Sequence, residues 1–248
     1  MSAELVAPSE RADPELGFPP YGLAAPPSEP EWASWVGAGR RWPVQVWRFA
    51  RPLRAISCGP YGGGLGERSW VLNASVPRDY DRRDPDAHVA ELAADLNLAG
   101  LGAGMLTAVD VNDAGVAADG GVHVVATVGL GHPTLAAAPE GAVGQPPSGT
   151  INIVGFLPVA LSGAALVNAV ATVTEAKVQA LVGRGFDATG TATDALFLGC
   201  PVVEPGEAVE AFGGPRSTWG SRLARAVHAA VDEGARHWLR RSDMSVDS

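Results

Sequence analysis

Lysine is almost missing from this chain, and cysteine is scarce. Of 18 basic residues, 17 are arginine and one, Lys177, is lysine. From Asp84 to Gly183 that lysine is the only base besides histidine. The formal charge is −9, which argues against nucleic acid or an anionic membrane surface as partner, because both demand clustered cations. Cys58 and Cys200 stand alone, with no CxxC spacing and no secretory pattern upstream. A disulfide framework is excluded, and a reducing cytoplasm is the expected setting. The histidines, His88, His123, His132, His228 and His237, show neither HxH nor HExxH spacing, so no catalytic metal is expected. No GxSxG elbow occurs either, which excludes a serine hydrolase of that type.

What is present is apolar. The 248 residues are 46% hydrophobic and 18% charged, with 31 Gly and 20 Pro, enough for one sizeable core and too few charges for a disordered chain. Residues 1–39 differ from the rest, with six acids against one base and seven of the 20 prolines. They cannot bury enough surface to offset their ordering entropy. A flexible, proline-rich acidic arm over 1–39, one globular domain over 40–241 and a disordered tail over 242–248 are expected.

Val44 to Phe49 alternates with period two and is followed by strand-like Leu53 to Cys58, a glycine turn, and Trp70 to Val76. Asp84-Pro85-Asp86 places a cap, a first-turn proline and an acid before Val89, Leu92, Ala93 and Leu96, the spacing of one helical face. Gly104 to Val109 and Val122 to Val128 read as strands on either side of an Asn112-Asp113-Ala114-Gly115 turn, joined as a hairpin. Between Glu140 and Glu175 lie 34 uncharged residues, long enough to suggest a membrane span. Asn152, Pro158, Ser162, Gly163 and Asn168 interrupt the run, which instead splits into a buried strand, Thr150 to Phe156, and a helix from Ser162 to Val182. That helix is apolar enough to expect packing on both sides. Its polar residues Asn168, Thr172, Glu175 and Gln179 form one stripe facing solvent or a site. A hydroxyl-rich loop, Ala188 to Asp194, leads into a strand over Ala195 to Gly199, and a last helix begins near Ser217 or Thr218. Hairpins and helix-flanked strands together predict an α+β fold, a mixed β-sheet covered by helices in a single globular domain; the alternative is a three-layer α/β sheet. A homo-oligomer is left open.

Four ordered blocks carry a resemblance: Gly62-Gly63-Gly64 with Val71-Leu72-Asn73 and Val76-Pro77-Arg78-Asp79-Tyr80; Gly149-Thr150-Ile151-Asn152-Ile153; Asn168 to Lys177; and Ala188 to Ala195. Together they resemble the adenosylcobinamide amidohydrolase family over about 200 residues, roughly Pro43 to Arg240. Two positions depart from its pattern: Gly129-Leu130-Gly131-His132-Pro133, where an asparagine is expected, and Ala192. The resemblance implies cleavage of the amide joining aminopropanol to a corrin ring, giving adenosylcobyric acid for coenzyme B12 salvage. It implies a small-molecule corrinoid partner and no separate cofactor, since cobalt arrives with the substrate.

The chemistry must come from the residues. Amide hydrolysis needs a nucleophile, a donor for the developing oxyanion and an acid for the leaving amine. Thr191 and Thr193 are expected to share a face beside Asp194 at the mouth of a strand. Asp194 or Glu175 would activate water or a threonine hydroxyl, and Lys177 would stabilise charge with its compact ammonium. Glu175 and Lys177 point apart on their helix and need different partners. Substrate contacts are expected from Gly63, Gly64, Asn73, His132, Thr150, Asn152, Asn168, Thr174, Thr189 and Gly190. The glycines would let backbone approach a bulky ligand, and the amides and hydroxyls would meet the corrin's periphery. Each has a plainer reading as a turn, a cap or a satisfied buried group. Cys58 and Cys200 lie in apolar, strand-like surroundings and are expected to fill space. A noncatalytic corrinoid binder, or a threonine-nucleophile amidase acting on another small amide, remains as an alternative.

Overall fold

The computed structural model of the protein describes residues 29–139, 149–203 and 206–246. Among them run β1 (Glu31–Gly37), β2 (Arg40–Ser57), β3 (Gly64–Ser75), α1 (Pro85–Asp95), β4 (Gly102–Thr107), β5 (Gly115–Asp119), β6 (Val122–Val128), β7 (Ile151–Phe156), α2 (Gly163–Gly183), β8 (Ala195–Cys200) and α3 (Thr218–Val246). The strands form one sheet in the order β4-β3-β2-β8-β7-β6-β5, with β1 added along β2. Pairs β3–β4 and β7–β8 are parallel and the rest antiparallel. The expected mixed sheet covered by helices is what forms.

The sheet folds on itself through β2. Its register with β3 slips between Arg48 and Leu53, at Pro52, which has no N–H to donate to a ladder. Beyond the slip, Arg54 to Ser57 pair with β8, so one strand serves both halves. Trp47, Val71, Ala103 and Met105 from one half then pack against Val125, Val154, Phe156 and Phe197 from the other. Strands buried on both faces lose the alternation that a half-exposed strand shows. Outside this interior, α2 and α3 cover β6, β7 and β8, and α1 covers β2 and β3. Gly104 allows the approach of α1: a Cβ there would lie 2.2 Å from Val89 Cγ1.

Several expectations are corrected. Within the expected arm, residues 31–37 form β1, because Ala33 and Trp35 pack on the outer core and Trp35 Nε1 donates to Ser75 O at 2.9 Å. Ala38 and Gly39, at φ 50° and 73°, turn β1 into β2; residues 1–28 lie outside the described residues. The expected tail is helical as far as Val246, within α3. Strands β4 and β6 make no hairpin: β4 lies parallel to β3, and β6 turns back on β5 through Gly120 and Gly121. Asp84 stands at the N-cap of α1 but makes no capping bond, because its carboxylate is taken by Arg82 at 2.9 and 3.1 Å. Helix α2 is packed on one side only. Ala165, Leu166, Ala169 and Val173 are buried, whereas Val167 and Val182 are 58% and 59% exposed. By length and hydropathy α2 could cross a membrane, yet its inner face is a core face of this sheet.

His88 ties α1 to β1. It is 4% exposed, stands edge-on to Trp35 and shares a 3.0 Å hydrogen bond with Tyr80 Oη. Burial, with Arg82 nearby, holds its pKa below the ordinary 6.5. A base with a depressed folded pKa is bound to fewer protons when folded, so stability is full above the unfolded pKa and falls as pH drops below it. Denaturation midpoints are expected to decline below about pH 6.5 in the wild type. In His88→Phe that component of the decline should vanish.

Candidate functional site

Ser162 starts α2 by accepting Ala165 N at 3.1 Å through its side chain. At the far end, Arg184 pairs with Asp232 of α3, which fixes the rotation of the helix. Lys177 follows the buried Ala176, at the border between the core face and solvent. Its Nζ lies 2.5 Å from Asp194 Oδ2, with the two side chains 12% and 16% exposed. Asp194 precedes β8, beside the first residues of β7.

Asp194 is the hub. Its Oδ1 accepts Ile151 N at 3.0 Å and Thr191 Oγ1 at 2.5 Å, and its Oδ2 accepts Thr191 N at 3.1 Å. Four donors, Ile151 N, Thr191 N, Thr191 Oγ1 and Lys177 Nζ, converge on this one carboxylate. Gly190 passes so close that a Cβ on it would lie 2.2 Å from Asp194 Oδ2 and 2.6 Å from Lys177 Nζ. The loop is pinned in turn: Thr134 N donates to Gly190 O at 2.8 Å, and Thr189 Oγ1 accepts Ala136 N at 2.7 Å.

Thr191 and Thr193 do not share a face. Thr191 bonds Asp194, whereas Thr193 Oγ1 lies 2.7 Å from Thr150 Oγ1 and 3.2 Å from Gly149 O. If Thr193 donates to Gly149 O, Thr150 donates to Thr193, and the proton of Thr193 is committed. The hydroxyl aimed at a base is therefore that of Thr191.

The remaining sequence-predicted residues scatter. Glu175 and Thr174 are exposed on the outer face of α2, where Thr174 Oγ1 donates to Val170 O at 2.9 Å and Glu175 reaches none of the cluster. Asn168 is exposed beside Gly214, and Thr172 is buried with its hydroxyl on Gly213 O. The polar stripe thus packs in part against the 213–214 segment and holds no ligand wall. Asn73 and Asn152 are each 1% exposed. Asn152 Nδ2 donates to Asn73 Oδ1 at 2.8 Å and to Leu106 O at 3.0 Å, stitching the two sheet halves from inside. Such amides specify packing and touch no solvent. Gly63 and Gly64 are exposed, but the carbonyls of Gly62 and Gly63 accept the Arg68 guanidinium at 2.6 and 3.2 Å. That loop is a clamped turn. His132 is exposed, and its backbone N lies close to Gly149.

Sequence reasoning missed Ile151 N, since backbone donors leave no trace in residue type. It also missed Arg68, whose burial at 8% exposure had no signal beyond three adjacent glycines to clamp. A cavity of about 540 Å³ lined by Arg40, Trp42, Arg78, Asp79, Trp238 and Arg241, among others, includes none of the predicted site residues. Only the Pro77-Arg78-Asp79 block pointed towards it. Among the described residues, no three His, Cys, Asp or Glu side chains converge as a metal site would require.

The family model for adenosylcobinamide amidohydrolases matches residues 33–243. The chain belongs to this family. That makes it an amidohydrolase, and three of the four blocks that carried the resemblance meet at Asp194. A curated adenosylcobinamide amidohydrolase of Methanosarcina mazei is 28% identical over 73% of this chain and 90% of its own. Another, of Halobacterium salinarum, is 31% identical over 75% of this chain and 82% of its own. A solved structure from Pyrococcus horikoshii OT3 aligns over 85% of this chain and 83% of its own at 12% identity, with a TM-score of 0.43.

The two thiols of this amidohydrolase differ. Cys200 is fully buried, and burial pushes its pKa up to about 11. Cys58 is exposed, against the expectation of an apolar setting: it stands one residue past the end of β2, where its Sγ accepts Leu196 N at 3.3 Å. A disulfide reagent that reports released thiolate should titrate one thiol in the native protein, and the second only after denaturation.

Proposed function

We propose that the protein hydrolyses the aminopropanol amide of adenosylcobinamide, giving adenosylcobyric acid and free aminopropanol, as a cytoplasmic step of corrinoid salvage. The observation that carries the reading is the meeting of three separate sequence blocks on one carboxylate: Ile151 from β7, Lys177 from α2 and Thr191 from the loop before β8. Thr191 Oγ1 is the nucleophile, and its proton passes to Asp194 as the C–O bond forms. Lys177 Nζ, whose described bond is the one to Asp194, turns a remaining proton towards the developing oxyanion. On collapse the C–N bond breaks and the leaving amine takes the proton from Asp194. Water then cleaves the Thr191 ester, restoring the hydroxyl and releasing the carboxylic acid. Glu175 has no part in these steps. No resident metal is required, so turnover should survive a chelator.

Incubation with adenosylcobinamide followed by mass spectrometry tests this directly. Adenosylcobyric acid and aminopropanol should appear, and added hydroxylamine should divert part of the product to a hydroxamate. A shift in the corrinoid's visible spectrum without released aminopropanol would instead identify a noncatalytic binder. Full turnover in Thr191→Val would remove the threonine as nucleophile.

A further inference from the structure

Thr189, expected from the sequence to touch the substrate, has its hydroxyl already occupied. Thr189 Oγ1 accepts Ala136 N at 2.7 Å and donates to Thr134 O at 3.3 Å. A hydroxyl carries one proton, and with that proton on Thr134 O none is left to offer a ligand. The same stretch is joined by two backbone bonds, Thr189 N to Thr134 O and Thr134 N to Gly190 O, each 2.8 Å. Thr134 and Gly190 thus form one antiparallel bridge. The Thr189 side chain adds a further rung, taking Ala136 N on a hydroxyl in place of a carbonyl.

What the bridge holds is Gly190, which is buried against both members of the ion pair. A Cβ on it would lie 2.2 Å from Asp194 Oδ2 and 2.6 Å from Lys177 Nζ, so its backbone walls the space in which the flexible lysine stem can swing. The next residue, Thr191, brings its N and Oγ1 to Asp194 at 3.1 and 2.5 Å. A Gly190 that drew back would carry Thr191 off the carboxylate and give the ammonium room to leave it. Ala136, by contrast, is exposed. Water can accept from its N–H if the hydroxyl is removed, so that bond contributes little to folding. We infer that Thr189 is a positioning residue: through Gly190 it fixes how Lys177, Asp194 and Thr191 meet, and it does not contact the substrate. Its weight in turnover rests on the reaction proposed above; its hold on the ion pair does not.

Two variants remove the bond from opposite sides. Thr189→Val keeps the shape of the side chain and deletes the hydroxyl. Ala136→Pro deletes the N–H that Thr189 accepts; because Ala138 N donates to Leu135 O at 3.1 Å, Ala136 is the second residue of a turn, where proline fits. With native circular dichroism and little change in denaturation midpoint, each should lower kcat for adenosylcobinamide about thirtyfold and leave KM within twofold, the scale of a sub-ångström misplacement. The double variant should be no worse than either, since both break one bond, and Thr189→Ser should recover to within about threefold of wild type. A raised KM with kcat unchanged would make Thr189 a substrate contact and overturn the inference, as would full turnover in both variants. The second readout needs no substrate. Lys177 is the single lysine of the chain, so protein carrying carbon-13 at lysine Cε gives one resonance. It should move in Thr189→Val and Ala136→Pro alike and return in Thr189→Ser. A resonance unmoved in both would overturn the inference and leave the reaction standing. One that moves in a protein releasing no aminopropanol would support the positioning role and overturn the reaction.

Discussion

Asp194→Asn is expected to lower turnover of adenosylcobinamide by about a thousandfold, the scale at which an activating or charge-stabilising group is lost. An amide in that place cannot take the Thr191 proton, and its NH2 would oppose one of the donors now converging on Oδ1 and Oδ2. Lys177→Arg is expected to fall by a similar factor. A branched guanidinium would need the space that Gly190 occupies, where even a single carbon would stand 2.6 Å from Nζ. Glu175→Gln serves as the control and should stay within twofold, because Glu175 lies on the exposed face of α2. The losses should be non-additive: the Asp194→Asn/Lys177→Arg double variant should be little worse than either single one, since both act through one unit. Steady-state kinetics on variants with native circular dichroism check this. An Asp194→Asn enzyme within tenfold of wild type would remove the cluster as the reacting centre.

How far this was legible can be traced residue by residue. Lys177 and Asp194 were, because a lone lysine among arginines and an acid at a strand mouth are both unusual for their surroundings. Their pairing was not, because the two sit on different elements and only the packing of α2 on β8 brings them together. Thr191 and Thr193 were read as sharing a face from a strand's period of two. The loop is not yet strand there, and Gly190 lets the backbone turn Thr191 back onto Asp194. Asn73 and Asn152 misled for the opposite reason. A polar residue within an apolar strand reads as a ligand contact when one face is assumed open, and here β3 and β7 are buried on both. The helices were the more legible part, since α1 and α2 carry their start signals locally. The fold-back of the sheet at Pro52 was not legible, because it depends on which strands meet and not on any one of them.

That fold-back yields the largest expected effect on stability. Phe197 on β8 is fully buried, with its ring centroid 6.1 Å from that of Phe156 and 6.2 Å from that of Phe49. It therefore contacts both another strand of its own half and the bend of β2. Phe197→Ala is expected to destabilise the protein by about 3–5 kcal/mol, the transfer loss plus a cavity that the surrounding strands cannot collapse to fill. Val167→Ala, on the exposed face of α2, should change stability by about 0.5 kcal/mol or less. Equilibrium denaturation followed by tryptophan fluorescence would compare them, and a loss below about 1 kcal/mol for Phe197→Ala would mean the two halves are not held by this interior. Asp194 lies three residues before Phe197, at the mouth of the same strand. A partly folded Phe197→Ala protein should therefore lose the Lys177–Asp194 contact, and with it hydrolysis, before its helices melt. The order of those two losses, activity first and helical circular dichroism second, separates an interior that positions the site from one that merely supports the fold.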